Sequence, residues 1–85
     1  MRLLKQAGWE LAHTGGGCEA LELLMSDDSY FLATNEDGIT VPTRYKEILV
    51  GHYDKDGDST NNPGLMTWSQ LSVMIDQYKQ LLGKL

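Results

Sequence analysis

The chain has 85 residues, 41% hydrophobic and 22% charged, which fits one globular domain and excludes a second domain or a large cleft between lobes. Twelve acids against seven bases leave a formal charge of −5, which argues against coating nucleic acid through a general basic face. No apolar run approaches the roughly 18 residues of a membrane span, and Met1-Arg2-Leu3-Leu4-Lys5 is too short for a signal peptide, so the expected location is cytoplasmic.

Residues 1–7 have a helical composition that Gly8 interrupts. Trp9, Leu11 and His13 then alternate with Glu10, Ala12 and Thr14, the two-residue period of a strand, and Gly15-Gly16-Gly17 marks a turn. Cys18 to Met25 has helix-forming residues but alternating Leu21, Leu23 and Met25. Its neighbours decide for a strand: the turn Ser26-Asp27-Asp28-Ser29 joins it to the strand-like Tyr30 to Thr34. Asn35-Glu36-Asp37-Gly38 is a second turn, after which β-branched Ile39-Thr40-Val41 is expected as a further antiparallel strand, ended by Pro42. Glu47 to Tyr53 is the strongest strand signal, and Asp54 to Gly64 reads as a polar loop.

The period then changes. Thr67 and Gln70 form a capping box, Met66 and Leu71 a hydrophobic staple, and Gly83 a stop, predicting a helix over 67–82. Its apolar stripe is Trp68, Leu71, Met74, Ile75, Tyr78, Leu81 and Leu82. The expected architecture is mainly β: one domain over 1–85, with a small, strongly bent antiparallel barrel of four or five strands at about 8–54, a polar loop at 54–66 and the C-terminal helix.

Several motifs bear on chemistry. Asp54, Asp56, Asp58 and Asn62 fall at oxygen-ligand positions of a calcium loop, but Ser59 stands where that loop needs glycine and Leu65 where it needs a bidentate glutamate. Thr14 to Cys18 can form an amide nest or set a thiolate near His13, yet no lysine or triad accompanies it. His13, Cys18, His52 and Asp54 lack the paired spacing of a structural zinc site. The expectation is therefore a non-enzymatic protein with no metal and no cofactor. From Gly15 to Thr43 there are acids but no Lys or Arg, so any phosphate contact falls to Arg44 and Lys46.

At Trp9, Thr14-Gly15-Gly16-Gly17-Cys18, Thr34-Asn35-Glu36-Asp37-Gly38 and Val50-Gly51-His52-Tyr53-Asp54 the chain resembles a group of small marine-phage proteins, itself similar to a divergent Sm-like family. Ile48-Leu49-Val50-Gly51 resembles the second Sm motif, with Val50 in place of its arginine. The resemblance implies an SH3-like barrel and a homo-oligomeric ring that binds single-stranded RNA or DNA in an infected host's cytoplasm. On that reading Asn35 and Asp37 hydrogen-bond bases, Gly51, His52 and Tyr53 form the stacking loop, and Arg44 and Lys46 meet phosphates. Strand edges around Glu47 to Tyr53 are the expected subunit contacts. The competing expectation is an acidic phage accessory protein that binds a host protein through its Glu19 to Asp37 face.

Overall fold

The computed structural model describes residues 8–43 and 46–83. In chain order they form β1 (Glu10–Gly15), β2 (Cys18–Leu24), β3 (Tyr30–Thr34), β4 (Ile48–Tyr53), β5 (Ser59–Met66) and the helix α1 (Trp68–Gly83). The strands make one five-stranded antiparallel meander in the order β1-β2-β3-β4-β5. The helical start expected in residues 1–7 lies outside the described residues.

Alternation sorts the side chains of each strand to two faces. Leu21 lies opposite Ala33 and Leu23 opposite Phe31, while Ala33 faces Val50 and Phe31 faces His52 across the next ladder. These side chains share one face, and there they meet Leu71 and Ile75 of α1, with Trp9, Met25 and Ile48 completing a buried cluster. Met66, Trp68, Met74, Tyr78 and Leu82 pack around it. Leu81, placed in the apolar stripe by its spacing, instead points outward at 60% exposure.

The start of α1 is built as its sequence predicts. Thr67 Oγ1 accepts from the Gln70 amide at 3.1 Å, and Gln70 Oε1 accepts from the Thr67 amide at 2.9 Å, satisfying two donors that the helix itself leaves unpaired. The β2–β3 turn is equally local: Met25 N donates to Ser29 O at 2.8 Å, with Asp28 at a positive φ of 69°. Cys18 to Leu24 is a strand despite its helix-forming composition, because every second residue has a core to enter.

Three expectations are corrected. The sheet does not close into a barrel: β1 and β5 lie at opposite ends of the strand order and do not pair with each other. Ile39-Thr40-Val41 is no strand. Asn35 Oδ1 accepts from the Ile39 amide at 3.2 Å, and the Asn35 amide donates to Thr40 O at 2.8 Å, coiling this segment into a loop. The Glu19 amide of β2 donates to Ile39 O at 2.9 Å, Val41 packs against the core, and Pro42 is buried without an N–H to extend a ladder. Finally, the polar stretch after Tyr53 contains a whole strand. A tight turn at 54–58 leads into β5, which pairs with β4 through two irregularities and tolerates Asn, Pro and Gly as an edge strand.

Leu71 has no exposed surface and joins the helix to the sheet. Leu71→Ala is expected to cost about 2–5 kcal/mol, the range for emptying a buried leucine site, whereas Leu81→Ala should stay within about 0.5 kcal/mol. Urea unfolding of the two variants checks this.

Candidate functional site

Helix α1 covers only one face of the sheet. The other face can be read from the strand registers as three rows. Leu24, Tyr30, Tyr53 and Ser59 form the first, Glu10, Glu22, Leu32 and Gly51 the second, and Thr34, Leu49 and Leu65 belong to the third. With strands about 4.8 Å apart, the second row runs about 14 Å from a carboxylate end to a glycine.

At that glycine the surface is hollow. A cavity of about 320 Å³ is lined by Ala20, Leu32, Thr34, Leu49, Gly51 and Tyr53, with Gly38 at its rim. Gly51 supplies no side chain to fill the position beside Leu32, so the cross-strand neighbours wall an open space. Gly38 closes one side: at φ +73° it approaches so closely that a Cβ there would stand 3.4 Å from Leu49 Cδ2. Tyr53 forms the opposite wall, its ring stacked on Tyr30 with centroids 5.5 Å apart and planes 21° apart. The side chains around the hollow are uncharged.

The acidic end is built differently. Glu10 and Glu22 stand directly opposite each other across the β1–β2 ladder, an arrangement in which like charges repel. Among the described residues neither has a salt-bridge partner.

The structure divides the sequence-predicted nucleic-acid residues. Gly51 and Tyr53 line the hollow. His52 cannot join them, because alternation sends it through the sheet to the helix side, where it is only 8% exposed between Phe31 and Tyr78. Its Nδ1 bonds Thr60 Oγ1, whose hydroxyl donates to the His52 carbonyl at 3.3 Å, while Nε2 is buried without a partner among the described residues. Asn35 spends its side-chain oxygen on the Ile39 and Thr40 amides. Asp37 and Lys46 are exposed in the connection between β3 and β4, and Arg44 lies outside the described residues. Glu10, Leu32 and Leu49 are not among the residues the sequence proposes for a site, and Glu22 enters there only as part of the Glu19 to Asp37 face. The signal that finds them is the even-residue alternation of β2 and β3 together with the β4 register.

Asp54 Oδ1 accepts from the Asp56 and Asp58 amides at 2.9 and 3.0 Å, making the aspartate-rich stretch a closed hairpin turn. Among the described residues, no group of three or more His, Cys, Asp and Glu side chains is placed to hold a metal ion. Cys18 is a free, half-buried thiol opposite Gly15, and His13 is opposite Glu19 instead.

A polar latch fastens α1 to the β2–β3 turn. Tyr78 Oη donates to Asp27 Oδ2 at 2.6 Å, the Ser29 hydroxyl donates to Asp27 Oδ1, and the Ser29 amide reaches the same oxygen at 3.0 Å. The Ser29 and Tyr78 hydroxyls hold the Asp27 carboxyl below its ordinary 3.8. Burial, then the neighbouring Asp27 carboxylate, pushes the Tyr78 phenol above its ordinary 10.0.

No protein-family model, curated protein or solved structure matches this chain.

The latch gives stability a defined pH window. Asp27, lowered in the folded state, contributes above its unfolded value and loses that contribution as pH falls through its folded one, below about 3.8. Tyr78, raised in the folded state, contributes fully below about 10.0 and loses its contribution as pH rises through its folded value. Thermal melts across pH should show Tyr78→Phe with a shallower alkaline decline than the parent and a weaker acid dependence.

Proposed function

We propose that this chain is a non-enzymatic binding module whose open sheet face receives a short segment of a partner protein, an apolar side chain entering the hollow and a neighbouring cation meeting Glu10 and Glu22. One observation carries the reading: an uncharged hollow and a pair of opposed, unbridged carboxylates lie in the same cross-sheet row. The hollow favours desolvated apolar atoms, whereas the two carboxylates favour Lys or Arg and disfavour acidic competitors. Glu22 and Gly51 are two strand spacings apart, about 10 Å, which a peptide of a few residues spans.

This keeps the idea of an acidic accessory protein but moves its contact surface from the Glu19 to Asp37 run to the open face. Single-stranded nucleic acid suits that face less well. Tyr53 offers a stacking ring, but the three rows carry two glutamates and no Lys or Arg, so phosphates would meet repulsion where they need cations.

Amide chemical shifts of the full chain, titrated with a short peptide of Leu, Tyr and Lys and separately with a short oligouridylate, test the reading. The peptide is expected to move the amides of Glu22, Leu32, Leu49 and Gly51, with affinity falling as salt rises and weakening about tenfold in Glu22→Lys. Shifts at these amides with the oligouridylate alone would replace the reading with nucleic-acid binding. No shift there with either probe would overturn it.

A further inference from the structure

We infer that β1 is an interaction edge, and that two copies of this chain pair there, antiparallel, into a two-fold dimer with one continuous ten-stranded sheet. The inference rests on the direction of the backbone groups of β1 and is independent of what the open face binds.

That direction follows from the ladders. The Glu19 amide donates to Ile39 O at 2.9 Å and the Met25 amide to Ser29 O at 2.8 Å, so the odd-numbered residues of β2 turn their backbone groups toward β3. The even-numbered residues therefore turn theirs toward β1, where Ala20 is opposite Ala12 and Glu22 opposite Glu10. Leu11 and His13 are the residues left with N–H and C=O pointing out of the sheet. Among the described residues no strand pairs with that side. Leu11 adds a side chain that is 51% exposed, and His13 is exposed as well.

The two ends of the sheet differ in the way that favours a closed dimer. An unpaired strand edge is a template for further pairing unless it is blunted. β5 is blunted: Pro63 lacks a donor, Gly64 sits at φ +86°, and the pairing with β4 is irregular at two points. Joining β1 to β5 of the next copy, as a ring demands, is therefore disfavoured, and β4 is unavailable because β3 and β5 flank it on both sides. An edge offered on one side only pairs with itself about a two-fold axis.

β1 is also self-complementary. With the axis at Ala12, Leu11 of one copy pairs with His13 of the other, so the four outward N–H and C=O pairs of the two chains are satisfied together. The small Ala12 side chains meet at the axis. Glu10 of one copy is displaced from Glu10 of the other by four residues, about 13 Å along the strands, and the like charges do not oppose each other.

Sedimentation equilibrium of the full chain across a concentration series is the test. The parent is expected to approach twice its 9.5 kDa chain mass. Leu11→Lys places a charge on the edge, and His13→Pro removes an outward donor from a residue whose amide meets no strand among the described residues. Each should raise the dissociation constant about tenfold or more, with far-UV circular dichroism unchanged. A parent that stays monomeric at every concentration, a ring larger than two copies, or a dimer untouched by both variants would overturn the inference.

Discussion

The burial of Leu71 and Ile75 against β2, β3 and β4 is the contact on which the rest of this structure depends. An isolated helix of this length is marginal in water, and a small sheet needs a covered hydrophobic face, so neither half is stable without the other. Once α1 lies across Leu21, Phe31, Ala33, Ile48 and Val50, the side chains in the alternate positions face away from it. The polar latch from Asp27 to Tyr78 and the capping box at Thr67 fix where that helix begins and which way it runs.

The open face and its edge are consequences of this one-sided packing. A meander that closed on itself would pair β1 with β5 and fold one face inward. Here the half-buried Leu32, Leu49, Gly51 and Tyr53 lie on the face turned away from α1, with the glutamates of β1 and β2 in the same surface. Dimerisation at β1 would place two such faces side by side on one sheet. The two Glu10–Glu22 pairs would then flank the axis, and a partner with two matching segments would gain effective concentration from binding both.

Much of the fold was legible because its local signals agreed with its global arrangement. Thr67, Gln70 and Gly83 bracket α1 within a residue of its observed ends, and the Ser26 to Ser29 turn locates the β2–β3 hairpin. Cys18 to Leu24 was readable through its alternation and not through its propensity. β5 was hidden because Ser59 to Gly64 has turn-forming residues, and its pairing is imposed by the hairpin at Asp54. Ile39 to Val41 misled in the opposite sense: β-branched residues were diverted into a loop by the Asn35 side chain. Among the described residues that the sequence proposes for a site, Gly51 and Tyr53 are the two that line the hollow. His52, between them in sequence, goes to the other side of the sheet, a separation that follows from strand geometry once the loop reading of this stretch is abandoned.

The central claim is that the sheet has one covered and one open face. Paramagnetic broadening of methyl signals by a soluble, uncharged relaxation agent tests it directly. The account predicts strong broadening for Leu24, Leu32, Leu49 and Leu65, and protection for Leu21, Ile48, Val50 and Leu71. Protection of Leu32 and Leu49 to the same degree as Ile48 would mean that the second face is covered, and would contradict the account.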